Sequence, residues 1–200
     1  MKLEGWKISF LVAGLILLAL GIFFALAPWS ADTILVAIRS TGRSSLFLFS
    51  LAFTASSVYH FWKGAFPKWV LRNRRYIGVS FAASHFIHLG LIATISLVFP
   101  EPFLKDQSKS QWIFGGLGYV FIALLALTSS DRAQKWMGMK HWKRLHLIGS
   151  YDIWLVFLLT YVKHTKADPH FYLPFLVFCA ALWPLRLARH LGGGSTKAHS

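Results

Sequence analysis

A single cysteine, Cys179, and only seven acidic residues stand in this chain of 200. One thiol excludes an internal disulfide framework and any multi-cysteine zinc or iron–sulfur site. No CxxCH sequence is present, which excludes covalent c-type haem attachment. No GxGxxG or P-loop pattern is present either, so neither glycine-rich phosphate cradle is available. Charged residues make up 14% of the chain, where a soluble domain carries roughly a quarter. The segments between the apolar runs are too short to fold alone, so the chain reads as one compact domain.

What is there is hydrophobic. Apolar residues make up 56%, with eighteen Phe and nine Trp, and the mean hydropathy is +0.53. Trp favours the lipid–water boundary. A membrane span needs about 20 mostly apolar residues, and six runs qualify: 9–28, 44–62, 76–99, 112–130, 145–162 and 171–187. The first is longer than a signal-peptide core and reads as a retained helix, with a cleaved signal as the minority reading. Pro174 and Pro184 interrupt the sixth. The expected fold is all-α, a six-helix transmembrane bundle over 1–190 with a flexible tail over 191–200.

The net charge of +14 raises nucleic acid as a partner. Its distribution argues against it. Fifteen Lys and Arg fall on one side of the expected spans, among them Lys63 to Arg75 and Arg132 to Arg144, and six fall on the other. The positive-inside rule then puts both termini in the cytoplasm. The basic side orients the bundle and attracts anionic lipid or an acidic partner.

Ionisable groups at membrane depth are costly and mark function by default. His60, His85, His88, His146 and Asp152 fall inside the expected spans, with His164 at the outer end of the fifth. His141, His170, His190 and His199 read as surface residues. His60 and His164, near helix ends, also fit an interfacial role. His85 and His88 lie deep in SHFIHLG, three apart and therefore on one side of a helix. Zinc would ask for three or four ligands, often with Cys or carboxylate, and those are missing at matching depth. A b-type haem asks for one or two imidazoles from facing helices, an apolar aromatic slot, and cations for its propionates. Small residues beside the histidines, among them Gly78, Ala82, Ser84, Gly90 and Gly149, let a flat macrocycle or a neighbouring helix approach. Asp152, the only acid in a span, would accept from a histidine ring, pair with a base or belong to a proton path.

TGRSSLFLF (41–49), LRNRRYIGVSFAASHFIHL (71–89) and LALTSSDRAQKWMGMKHWKRLH (125–146) resemble the ferric-reductase-like transmembrane domain family. The haem-binding membrane subunits of bacterial periplasmic methionine sulfoxide reductase systems are the most similar branch. The resemblance covers about residues 41–190. It implies that the third and fifth spans carry haem ligands, with His88 and His146 in ligand positions and His85 as helper or alternate. Two-haem members carry a second ligand about four turns along each helix; here Arg74 and Thr160 stand in those places, and His164 lies one turn beyond the latter. From Tyr76, His88 lies about 18 Å into the span, whereas His146 lies near its edge. Either the fifth span begins deeper, or the two histidines serve different haems, with His164 and His60 as further candidate ligands.

The expected function is a b-type cytochrome of a bacterial inner membrane, with one or two haems. The chain has no room for a flavin or nicotinamide domain. Electrons would come from a separate reductase, through its flavin, or from quinol. They would leave to a periplasmic oxidoreductase, ferric iron or another acceptor. Arg74 and Arg75 belong to the expected docking or propionate surface. The alternative is a haem-free transporter or assembly protein using the His and Asp groups for proton or metal passage.

Overall fold

A computed structural model describes residues 3–101 and 109–192. The described residues form α1 (Trp6–Leu26), α2 (Ala31–Phe61), α3 (Ala65–Val98), α4 (Lys109–Leu127), α5 (Asp131–Met137), α6 (Met139–Ala167) and α7 (Pro169–Gly192). No strand occurs among them. Five helices are long and apolar enough to cross a membrane. A sixth crossing is made if α4 and α5, bent by 103° at their junction, count as one broken span. The class is a multi-pass, all-α membrane bundle.

Three helices begin well before the apolar runs that mark them. α2 begins at Ala31, where the Ser30 hydroxyl accepts from the Thr33 amide at 3.2 Å and Asp32 sits in the first turn. Both satisfy the helix N-terminus. Arg39 and Arg43, expected in a loop, therefore lie on a helix. α3 and α6 likewise begin at Ala65 and Met139, because a helix carries on past the hydrocarbon that an apolar run reports. Pro174 and Pro184 do not interrupt α7, which is helical through both. Neighbouring helices can re-satisfy the carbonyls that a proline frees in a membrane helix. The helix reaches Gly192, and 193–200 of the expected tail lie outside the described residues.

α2 packs along α3. α7 lies on α2, α6 joins α7 to α4, and α4 returns to α3, with α1 outside this ring against α3. Phe49, Phe53, Phe81, Ile122, Ile153 and Phe157 fill the centre. Close helix approach depends on small residues. A Cβ at Gly78 would lie 4.0 Å from Ala52 Cβ, and the buried Ser45 and Ser84 hydroxyls meet at 2.8 Å.

The start of α1 is tied to α3. The Gly5 amide donates to Asn73 Oδ1 at 3.1 Å, the Ser9 hydroxyl to the Tyr76 carbonyl at 3.0 Å, and Trp69 Nε1 to the Leu3 carbonyl at 2.8 Å. Glu4 pairs with Arg72. Arg75 reaches Asp131 of α5 at 2.8 Å. Arg186, near the end of α7, stands beside Phe53 and Tyr151, so both described ends of the chain lie at the same end of the bundle.

α6 meets α4 at Gly149, where a Cβ would come within 2.5 Å of Leu125 Cδ1 and 3.0 Å of Phe121 Cδ1. Gly149→Val is expected to lower stability by about 1–3 kcal/mol through overpacking, read as a lowered unfolding midpoint in detergent. Gly14→Val on α1, with open space at the Cβ, is expected to leave the midpoint where it is.

Candidate cofactor site

The structure brings His85 and His88 together, with ring centroids 5.0 Å apart. His85 faces the bundle interior against Phe81 at 5.5 Å, Tyr119 of α4 at 5.0 Å and Phe157 of α6 at 5.6 Å. Its Nδ1 and the Tyr119 hydroxyl are both buried with no hydrogen-bond partner among the described residues. Such atoms are costly in an apolar core. Two of them around one ring make this the least satisfied point among the interior aromatics.

His88 is held differently. Its Nδ1 lies 3.0 Å from Thr41 Oγ1 of α2. Thr41 donates its one proton to the Ala37 carbonyl at 2.8 Å, shared with Ile38 at 3.0 Å. Thr41 is then the acceptor for His88, and the imidazole proton sits on Nδ1. In that tautomer the lone pair stays on Nε2, the arrangement of a histidine prepared to ligate a metal. Gly42 makes room for the ring: a Cβ there would stand 3.4 Å from His88 Cε1. Thr41 and Gly42 together seat the imidazole, which gives TGRSS its structural meaning. Neither residue was legible as a site residue in the sequence, though both stand in a quoted motif.

The other expected site residues lie elsewhere. His146 stacks on Trp142 at 4.2 Å, and its Nε2 meets Thr128 Oγ1 at 3.0 Å. Thr128 donates to the Leu124 carbonyl at 2.6 Å, so it accepts from His146 Nε2–H. Trp142 Nε1 also donates to the Thr128 carbonyl at 2.9 Å. The group closes the end of α4. Phe157, level with His85, is eleven residues beyond His146 on α6, about 16 Å along the axis. His88 and His146 therefore do not share a depth, although α6 starts well before the apolar run. His60 lies edge-on to Phe61 at the end of α2, centroids 5.0 Å apart. His164 stacks on Tyr172 at 4.9 Å, toward the opposite end. Thr160 bonds the Val156 carbonyl of its own helix.

Arg75 is engaged with Asp131, whereas Arg74 donates to Ser56 of α2 at 3.2 Å. Asp152 makes no hydrogen bond or ion pair among the described residues, and its Oδ2 is buried. The expected pairing of Asp152 with a histidine or a base is not made. No cluster of three or more His, Cys, Asp or Glu side chains suited to a metal ion occurs among the described residues.

Between α1 and α2 a cleft of about 380 Å³ reaches Ala37, Ser40 and Thr41 past Ala19 and Phe23. Thr41 thus lies between a lipid-side cleft and His88. No family model, curated protein or solved structure matches the chain.

For haem, the donor set gives a mixed fit. His88 would suit a haem ligand by its fixed ring and the apolar aromatic surroundings. His146 does not fit the same haem, because it lies at another depth and its Nε2 is already used.

Nitrogen-15 spectra of histidine-labelled protein in detergent are expected to show His88 protonated at Nδ1. Thr41→Val should abolish that preference. An Nε2-protonated His88 in the unaltered protein would overturn the assignment.

Proposed function

We propose that the chain is a b-type cytochrome of a bacterial inner membrane, with both termini in the cytoplasm, and that His88 would hold the haem iron. The observation that supports this is the seated imidazole, with Nδ1 held by Thr41 and Gly42 leaving space at the ring. The unsatisfied His85 Nδ1 and Tyr119 hydroxyl beside it favour a polar or metal-bearing guest at this point. Haem supplies one-electron chemistry when bound.

The residues of the chain have separable tasks. Thr41 orients His88 and increases its basicity toward a metal. Phe81 and Phe157 keep water from the His85–His88 pair. His146 closes α4 through Thr128 and Trp142, so its contribution is to position α4 against α6. An apolar donor such as quinol suits the α1–α2 cleft, which runs from the lipid side to Thr41. A reductase at the basic end is the other candidate donor, and a partner protein or ferric iron the acceptor.

The test is optical. Protein purified from haem-replete cells is expected to be red, with a Soret band that shifts on dithionite reduction. A colourless preparation would refute the proposal and leave the haem-free reading of proton or metal passage. His88→Ala should lose most of the haem, and His146→Ala should keep it while lowering the unfolding midpoint. Gly42→Ala, whose Cβ would stand 3.4 Å from His88 Cε1, should alter the Soret position or haem content.

A further inference from the structure

Trp136, at 86%, is the most exposed large hydrophobic side chain among the described residues. It stands on α5, a helix of only seven residues. Ala133, Gln134 and Met137 of that helix are half-buried, whereas Arg132, Lys135 and Trp136 are exposed. Positions 132, 135 and 136 share one side of a helix by their three- and four-residue spacing. α5 therefore turns an indole flanked by two cations away from the bundle. An indole left whole in water forgoes the gain of burial.

The neighbours of α5 fix its level. Trp142 Nε1 of α6 donates to the carbonyl of Thr128, the residue after α4, at 2.9 Å. Thr128 and Trp142 thus stand at one level. The apolar run of α6 begins three residues on, at Leu145, about 4.5 Å deeper. Asp131, which opens α5, follows Thr128 by three residues and is tied to Arg75 of α3 at 2.8 Å. Between α4 and α5 the chain bends by 103°. α5 then runs across the bundle axis, and its length of about 10 Å adds little height. Gln134 Nε2 meets Met139 Sδ at 3.4 Å, and Gly138, at φ 75°, turns the chain into α6. The helix is held where the hydrocarbon ends, the zone that favours Trp and lets Lys and Arg reach headgroups.

Charge indicates which headgroups. Arg132, Lys135, Lys140, Lys143 and Arg144 are exposed. Asp131 is the one acid in residues 131–144, and Arg75 already holds it. Such a basic stretch beside a span attracts anionic lipid.

We infer that α5 lies in the plane of the membrane–water boundary, with Trp136 among the headgroups of anionic phospholipid and Arg132 and Lys135 against their phosphates. A soluble protein partner would need the same face to stand in water, and the level of α5 argues against that.

Fluorine-19 spectra of the full chain, labelled with fluorotryptophan in nanodiscs, test this. Trp136→Phe assigns the signal. A lipid spin-labelled at its headgroup is expected to broaden the Trp136 signal severalfold more than a soluble gadolinium chelate does. Replacing part of the phosphatidylcholine by phosphatidylglycerol should lower the effect of the chelate further. Arg132→Gln with Lys135→Gln should remove that dependence on phosphatidylglycerol, and Lys166→Gln, at the opposite end of α6, should keep it. Stronger broadening by the chelate would overturn the inference and leave the face in water, open to a protein partner. Equal broadening in the two lipid compositions would overturn the role of anionic headgroups. Both comparisons use the unaltered chain, so they stand whether or not the double variant folds.

Discussion

The distance between α2 and α3 is the constraint on which the rest of the structure depends. In lipid no hydrophobic force draws one helix to another, so contact must come from fit and from hydrogen bonds. Along this seam Gly42 faces His88, Ser45 faces Ser84, Ala52 faces Gly78 and Ser56 takes Arg74. Each pair joins something small to something that needs room or a partner. Widening the seam would separate Thr41 from His88 and Ser45 from Ser84 together. The same α3 carries the anchor points for α1 and α5, so an error in its seating reaches both neighbours.

Hydroxyl groups determine how the histidines differ. Ser and Thr in these helices return their proton to a carbonyl one turn back, as Thr41, Ser50, Thr54 and Thr128 do. A hydroxyl used in this way can only accept from a third group. His88 meets Thr41 through Nδ1, and His146 meets Thr128 through Nε2. One contact leaves the outer nitrogen free, and the other occupies it. Two histidines of similar sequence context thus become a candidate ligand and a helix-end brace.

The sequence made the crossings legible because about 20 apolar residues have few other uses. It placed their ends poorly, since helices such as α2 continue through polar residues that hydropathy discards. His85 and His88 were legible through their spacing, and the structure pairs them. Thr41 and Gly42 were not, because their importance arises only when α2 lies against α3. Arg186 was legible as a cation inside an otherwise apolar run. The separation of His88 from His146 was visible as a mismatch in depth, and the contacts of His85 with Phe157 give it a physical scale.

Helix α1 stands apart in how it is held. Phe10, Leu15, Leu17, Leu18 and Ile22 are exposed along its length. Among the described residues its polar ties to the rest of the bundle go to residues between Trp69 and Tyr76. During synthesis those residues emerge only after α1 and α2 have been made. Until then α1 must reside in the bilayer on its own hydropathy, as an independent anchor. Its burst of consecutive Leu, Ile and Phe is thus suited to waiting, and the Gly5, Ser9 and Glu4 contacts to recognising α3 when it arrives.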